Sequence, residues 1–490
     1  MTRAATGQGP FTGETRMARF LRVFVPFADV ATADLPLGRL IRLSLFQLSV
    51  GITLVLLGGT LNRVMAVELG IPVTLIAAAM ALPLLLAPAR MLIGFKSDHR
   101  RSYLGWRRTP FIWLGAMAQF GGLAIMPFSL LLVSEGVPET VLAGKAGLLL
   151  AFFMVGCGVH TVQTAGLALA SDLAQPDKRP RVVAMLYTML LVGLFTGAIV
   201  IGRLLDDFTP MKLIQLLQGS AVVTILLTLV AIWQQEPRRR DIAPEVDTGP
   251  KRRFVEDLRD LFASQPDLKR LFAALAVGTA AFSMQDVLLE PYGAEVFKMS
   301  VGATTLLTAL FASGSLLGFF GAARLLGGAR NGNPHVVAAL GLLIGLPGFS
   351  AVVMAGPLLS VASFSVGTFL IGLGSGFFSV SILLAVMERI GRADLGSGLV
   401  LGAWGAVQAI ATGLAVISGG VLRDEVARLA DVGVFGPAFQ NVAAGYGVVY
   451  HLEIGLLFAA LLVLGPLVRP QSIEPRQPSG QGFGLPDLPN

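Results

Sequence analysis

Charged residues are scarce in this sequence of 490 residues: Asp, Glu, Lys and Arg make up 14% of it, whereas 54% of it is hydrophobic. Soluble domains carry about 25% charged residues. The scarcity excludes an ordinary soluble protein and indicates a polytopic membrane protein whose outer surface faces lipid. The net charge of +7 could suggest a nucleic-acid partner. Because the positive residues cluster on one predicted side of the membrane, we expect membrane lipids as partners and no nucleic acid.

Cysteine and histidine are also rare. Cys157 is the one cysteine, which excludes an intramolecular disulfide and a cysteine-built metal site. The four histidines, at positions 99, 160, 335 and 451, include no pair at the helical spacing of a metal site. No Gly-x-x-x-x-Gly-Lys loop for phosphate is present. We therefore expect no enzyme activity, no use of ATP and no metal held directly by the protein.

Long apolar runs dominate what the sequence does contain, and each has roughly the 20 residues that a transmembrane helix requires. Twelve runs lie at about 41–62, 72–94, 110–132, 147–169, 182–203, 213–233, 271–290, 301–323, 335–355, 360–385, 397–420 and 449–468. With the N-terminus inside, 29 of the 37 Lys and Arg residues fall in cytoplasmic segments and 7 in outer loops. Because cytoplasmic loops retain positive charge, we predict that both termini are cytoplasmic.

A charged stretch rich in Pro and Gly separates the first six runs from the last six. The predicted domains are a cytoplasmic tail with an interfacial segment (1–38), a six-helix bundle (39–233), a cytoplasmic linker (234–270), a second six-helix bundle (271–468) and a disordered tail (469–490). At an offset of 228 residues, five positions of the first half are identical to positions of the second, among them Val73 with Val301. The offset supports two repeated halves.

The basic loop between the second and third runs, GFKSDHRRSYLGWRRTP, has the pattern Gly-x-x-x-Asp followed by Gly-x-Arg-Arg. Its residues of interest are Gly94, Asp98, Arg101, Gly105, Arg107 and Arg108. The pattern resembles the loop between helices 2 and 3 of the major facilitator superfamily, although several residues separate the acid from the second glycine. That resemblance implies an all-α membrane protein of 12 transmembrane helices in two six-helix pseudo-repeats, with a loop that clamps the helices at the cytoplasmic face. A turn that only anchors topology is the alternative.

Polar side chains within apolar runs are costly in lipid and are therefore candidates for function. The candidates are Gln47, His160, Gln163, Asp286, Glu290, Trp404 and Gln408. His160 and Gln163 are three residues apart and share a helix face. Each candidate also has a structural alternative: His160 could bond a helix carbonyl, Asp286 and Glu290 could lie at the headgroup level, and the remaining side chains could simply pack. Glu453, which opens the last run, is expected to be solvated.

Four stretches of the first third resemble one branch of the superfamily: LPLGRLIRLSLFQLSVG (35–51), GGTLNRVMAVELGIP (58–72), GFKSDHRRSYLGWRRTPFIW (94–113) and QFGGLAIMPFSLLL (119–132). They are similar to the PucC/LhaA proteins of purple phototrophic bacteria, which form the bacteriochlorophyll delivery family. The resemblance implies an assembly factor for the light-harvesting antenna, with the core antenna favoured over the peripheral one. It implies bacteriochlorophyll a as cofactor, the antenna α and β polypeptides and the reaction centre–antenna complex as partners, and the inner (intracytoplasmic) membrane as location.

A pigment of this kind needs an axial ligand for its magnesium, such as imidazole, carbonyl or carboxylate. His160 is the candidate that the resemblance favours for this role, with Gln163, Asp286 and Glu290 as further candidates. Two other functions remain open: a proton-coupled secondary transporter of a small solute, and a scaffold that binds antenna polypeptides without pigment. The transporter is disfavoured because the acids of the seventh and twelfth runs are expected near the outer surface.

Overall fold

The computed structural model describes residues 35–85, 105–134, 138–175, 179–237, 266–326, 332–393 and 397–468. Most of the predicted N-terminal tail, the central linker and the C-terminal tail lies outside these ranges. Every regular element within them is helical, which confirms the predicted all-α fold.

Six helices and two π-helical segments make up the first half. The helices are α1 (Leu37–Val55), α2 (Val73–Leu85), α3 (Thr109–Ser134), α4 (Pro138–Leu173), α5 (Arg179–Leu204) and α6 (Pro210–Ile232). The π-helical segments Leu56–Leu61 and Val64–Glu68 continue α1, so this apolar helix runs for 32 residues.

Seven helices make up the second half. They are α7 (Pro266–Ser283), α8 (Leu289–Phe297), α9 (Val301–Leu326), α10 (Pro334–Leu358), α11 (Val361–Ala393), α12 (Ser397–Asp431) and α13 (Ala443–Val468). Two 3₁₀ turns, Met284–Val287 and Pro437–Phe439, complete the described elements.

The lengths and apolar composition of these helices confirm a membrane protein with many spans. Within the described ranges, ten helices can each cross a membrane, and α7 with α8 forms a further span that is bent by 43°. The apolar helix α2 is shorter because the described residues stop at its end. A count of twelve spans therefore stays a prediction.

Two elements differ from the sequence-based expectation. The predicted seventh span, 271–290, was drawn as one helix, but α7 ends at Ser283 and a 3₁₀ turn precedes α8. The predicted outer loop that begins at residue 421 starts later, because α12 continues without a break to Asp431. Polar tertiary contacts, described below, account for the first difference, and an ion pair between Arg428 and Glu425 within the last turns of α12 supports the second.

Helix packing repeats between the halves. In the first half α1 packs on α5 and α6, and α3 packs on α4 and α6. In the second half α7 packs in the same way on α12 and α13, and α10 on α11 and α13. The halves meet where α2 packs on α12 and where α5 packs on α9. The pseudo-symmetry that relates the two halves converts each of these pairs into the other.

The local backbone repeats at the offset that the sequence suggests. Val73 begins α2 and Val301, 228 positions later, begins α9. The N–H of Ile71 donates to the carbonyl of Met65, and the N–H of Met299 donates to the carbonyl of Gly293 at the equivalent positions. The weak sequence repeat thus corresponds to a repeated helix junction.

Glycines spaced four apart let neighbouring helices approach closely inside each half. Gly193 of α5 lies against the backbone of α1 at Leu48, and Gly372 of α11 lies against the backbone of α9 at Phe311. A side chain at either position would collide with that backbone. These glycines are therefore used for packing within the protein.

Candidate functional site

We call the end of the bundle that carries Asp206 and Asp424 the outer end, and the end that carries Asp172 and Glu236 the inner end. The names follow the orientation that the distribution of Lys and Arg predicts. The predicted site residues fall into three groups: one within the first half, one on α12, and one between the halves at the outer end.

Gln47 and Gln163 approach each other between α1 and α4. Nε2 of Gln163 lies 3.5 Å from Oε1 of Gln47, at the long limit of a hydrogen bond. Gln47 is fully buried, whereas Gln163 and His160 are half-buried. The structure therefore brings two predicted residues together and keeps His160 one turn away on the same helix.

Trp404 and Gln408 are half-buried and lie one turn apart on α12. The indole of Trp404 packs against the hydrophobic core. Its Nε1 is buried, and within the described part of the chain it donates no hydrogen bond. A buried donor without an acceptor is costly, which keeps this indole a candidate for function.

The break after α7 brings the two halves into contact at the outer end. A change from an α-helix to a 3₁₀ turn leaves carbonyl groups without helical partners. Nδ2 of Asn62 donates to the carbonyls of Asp286 and Val287, at 3.4 and 3.0 Å. Asn62 belongs to the π-helical end of α1. The free carbonyls at the break in the second half are therefore hydrogen-bonded by a side chain of the first half.

Glu290 is enclosed by protein, with 1% of its surface exposed. Its Oε1 accepts a hydrogen bond of 2.6 Å from the hydroxyl of Thr308, and its Oε2 has no partner among the described residues. A methyl group at Gly59 would collide with that Oε1, so glycine is the residue that leaves room for the carboxyl group. A hydrogen bond of 3.0 Å between Thr60 and Thr305 closes the same contact.

Glu453 is fully buried, and the expectation that it is solvated is wrong. Its Oε1 accepts a hydrogen bond of 2.7 Å from the backbone N–H of Gln285, in the 3₁₀ turn. That N–H lacks a helical partner because the helix is broken there. Glu453, on α13, therefore supplies the acceptor that this N–H needs, and Asn62, on α1, supplies the donor that the carbonyls of the same turn need.

Two segments with the pattern Gly-x-x-x-Asp join the halves at the outer end. Gly420 lies against α2, and Oδ2 of Asp424 accepts hydrogen bonds from the N–H and the hydroxyl of Thr74, at 2.7 and 2.8 Å. Gly202 lies against α9, and Oδ1 of Asp206 accepts a hydrogen bond of 2.9 Å from the hydroxyl of Ser300. Asp424 thus caps the first turn of α2. Asp206 instead bonds the side chain of Ser300, which itself caps α9 by accepting the N–H of Ala303.

The basic loop motif clamps helices at the inner end of the first half. Arg107 and Arg108 form ion pairs with Asp172 of α4, at 2.6 and 3.1 Å. The backbone N–H groups of residues 107–109 donate to the carboxylate of Glu236, which caps the start of α3. Gly105 has a φ of +81°, a conformation that favours glycine. Gly94, Asp98 and Arg101 lie outside the described residues.

Sequence reasoning missed Asn62, Asp206 and Asp424, which join the halves, and Asp172 and Glu236, which clamp the inner end of the first half. All five lie near the ends of the apolar runs, where polar residues are expected on solvent exposure alone. One signal was available: Gly202–Asp206 and Gly420–Asp424 repeat the same pattern at corresponding helix ends of the two halves.

Solved structures with the same fold include transporters. A crystal structure of a bacterial homologue of the human lysosomal transporter Spinster, in an inward-facing and unoccupied conformation, matches with a TM-score of 0.64. The two chains are 15% identical, and the match covers 87% of this chain and 95% of that one. The match shows that the chain shares the fold of this transporter and is an all-α membrane protein with many spans.

Sequence comparison narrows this class to one family. The PUCC protein family matches residues 60–472, and the chain belongs to that family, as its motifs predicted. An uncharacterized protein in the puhA-bchM intergenic region of Rhodobacter capsulatus is 48% identical over 469 residues, 95% of this chain and 97% of the relative. Protein PucC of Rhodobacter capsulatus is 47% identical over 458 residues, 92% and 97% of the two chains. The bacteriochlorophyll synthase 44.5 kDa chain of the same species is 30% identical over 428 residues, 86% and 96%.

Proposed function

We propose that this protein is an assembly factor for a bacterial light-harvesting antenna, with the core antenna around the reaction centre as its target. It acts in the inner (intracytoplasmic) membrane, where it binds bacteriochlorophyll a and the antenna α and β polypeptides. Family membership across residues 60–472 carries the proposal. A relative whose name refers to bacteriochlorophyll synthesis supports the choice of pigment.

The half-buried polar side chains of α4 and α12 fit a tetrapyrrole. Such a ring needs an apolar site with a few directed polar groups. The imidazole of His160 would hold the magnesium, and the indole N–H of Trp404, which lacks an acceptor in the described structure, would donate to a ring carbonyl. When bound, bacteriochlorophyll supplies the magnesium centre and the near-infrared absorption. Gln163, beside His160, would donate a second hydrogen bond.

Substitution of His160 tests the pigment site. We expect the His160→Phe variant to copurify with at least about tenfold less bacteriochlorophyll than the wild type, because phenylalanine keeps the apolar ring volume but cannot ligate magnesium. Near-infrared absorbance of the protein purified in mild detergent measures the bound pigment. His451→Phe is the matched control, since His451 is exposed on α13. Equal pigment in both variants and the wild type would remove His160 from the site.

Buried carboxyl groups favour a second candidate, a proton-coupled transporter. Glu290 and Glu453 lie at the outer end, as the sequence suggested, but both are enclosed by protein there and are not solvated. Intramembrane acids are recurrent elements of proton relays. Proton flux into liposomes that contain the purified protein, measured with a pH-sensitive dye, would support this function if Glu290→Gln abolished it. Absence of flux with the wild type would leave the assembly factor as the better proposal.

A further inference from the structure

A groove opens on the membrane-facing surface of the first half, between α5 and α6. It has a volume of about 510 Å³ and runs from Leu204 and Lys212 near the outer end to Val223 and Ile52. Its size is within the range of about 300–1,000 Å³ that is typical of binding pockets. Gly197, Gly219 and Ser220 lie along it, so backbone is accessible there.

Two carboxamides project from the same part of α6. Gln215 and Gln218 are exposed and three residues apart, and neither side chain has a hydrogen-bond partner within the described structure. At 1.5 Å per residue they lie roughly 8 and 12 Å along the helix from Pro210, so at least Gln218 is at hydrocarbon depth. Unpaired amides facing lipid are unfavourable.

Other exposed polar side chains in the spans are satisfied locally. The hydroxyls of Ser350 on α10 and Ser418 on α12 donate to carbonyls of their own helices, at 2.8 and 2.7 Å. The two glutamines of α6 make no such bond with any described residue. This contrast singles out the surface of α6 as one that needs an external partner.

A third polar group faces the groove itself. Ser220 lines it and is only 8% exposed, and its hydroxyl has no partner among the residues that the structure describes. Beside it, a side chain built on Gly219 would meet no atom within 4 Å. The groove therefore combines free space, a glycine backbone and a nearly buried hydroxyl that lacks a partner.

We propose that this groove receives a single transmembrane helix of a partner protein. A hydrogen-bonding side chain of that helix pairs with Gln215 and Gln218, and small residues pack on Gly219 and Ser220, as is typical of helix association in lipid. An acyl chain would fill the apolar volume but would leave all three polar groups unpaired. Under the function proposed above, on which the identity of the partner rests, the helix belongs to an antenna α or β polypeptide.

Binding of antenna polypeptides to the full-length protein in nanodiscs tests the surface. Gly219→Leu fills the groove without colliding with the chain itself, and the double variant Gln215→Leu, Gln218→Leu removes both amides. We expect about three- to eighteenfold weaker binding for the double variant, from interhelical hydrogen bonds of about 0.6–1.7 kcal/mol, and a larger loss for Gly219→Leu. Gly455→Leu is the matched control, because Gly455 is exposed on α13 with equally open space.

A second measurement separates the groove from the identity of its partner. In a Cys157→Ala background, Gln218→Cys is labelled with an apolar maleimide in native membranes and after purification, with Ser350→Cys as the lipid-facing control. We expect protection of position 218 in native membranes only, and no protection of position 350. Equal labelling of positions 218 and 350 in native membranes overturns the proposal. It is also overturned if a photoreactive fatty acid labels the groove and the Gly219→Leu variant binds antenna polypeptides as well as the wild type does. Protection without any antenna binding by the wild type would overturn the proposed function and leave the groove standing.

Discussion

Glu453 shows, at the scale of single residues, how a charged side chain comes to be buried in a membrane protein. Its carboxyl group bonds a backbone N–H of Gln285 that the break between α7 and α8 leaves without a helical partner. A buried backbone donor that lacks an acceptor costs about 1–3 kcal/mol. Glu453 therefore stabilises the broken span, and its polar group is required by the backbone of another helix.

Replacement of Glu453 is expected to destabilise the protein. Glu453→Leu removes the acceptor and should cost about 1–3 kcal/mol, whereas Glu453→Gln keeps an acceptor oxygen and should remain near the wild type. Thermal unfolding in detergent, followed by tryptophan fluorescence, measures the difference. Glu425→Leu serves as control, since Glu425 is largely exposed. If Glu453→Leu melts at the temperature of the wild type, the proposed role of the hydrogen bond is incorrect.

At the scale of helices, the outer end is held by a pair of equivalent contacts. Gly202 and Gly420 allow α5 and α12 to approach the helices of the other half. Asp424 caps the first turn of α2, and Asp206 bonds the side chain of Ser300 at the start of α9. The two contacts are related by the same symmetry as the helix packing. Each one bonds a helix start to the opposite half, so both must break before the outer ends can separate.

Removal of both aspartates should therefore loosen the outer end. Loss of a helix cap costs about 1 kcal/mol, so we expect the double variant Asp206→Ala, Asp424→Ala to broaden and lengthen the distance between spin labels on the two halves. Double electron–electron resonance between Met211→Cys and Val432→Cys, with Cys157 replaced by alanine, measures that distance. The adjacent pair Asp207→Ala, Glu425→Ala is the control. An unchanged distribution in the first double variant would contradict the assignment.

Prediction from the sequence succeeded for the helices and failed for the contacts between them. Long apolar runs identify the spans because the thickness of the bilayer sets their length. The break after Ser283 has a local signal in Pro291, which has no N–H to donate to the carbonyl of Val287. The residues that stabilise the break, Asn62 and Glu453, carry no such signal, because they are more than 150 residues away along the chain. Likewise the sequence named Glu290 as a candidate but could not show that Gly59 leaves space for its carboxyl group.

At the scale of the whole molecule, the described hydrogen bonds between the halves lie at the outer end. They link α1 with the break after α7, α2 with α12, and α5 with the start of α9. At the inner end, the ion pairs of Arg107 and Arg108 with Asp172 stay within the first half. Polar contacts between the halves thus close the outer end of the bundle. Among the described residues, the inner end has no equivalent contacts between the halves.

The orientation of this closed end can be tested directly. In a Cys157→Ala background, a membrane-impermeant maleimide applied to intact cells should label Val434→Cys and should label Gln234→Cys only after the membrane is permeabilised. Both positions are exposed, at opposite ends of the bundle. The expectation follows from the excess of Lys and Arg on the predicted cytoplasmic side. The reverse labelling pattern would invert the predicted topology.

The cap that Glu236 provides to α3 has a consequence for the covalent connection between the halves. Because Glu236 is fixed to residues 107–109, the described part of the first half is anchored almost to its last residue, Pro237, and 28 residues of sequence separate it from Pro266. A chain of that length can span at most about 90 Å. The number of residues in the connection therefore does not by itself hold the inner ends together, so their separation depends on noncovalent contacts.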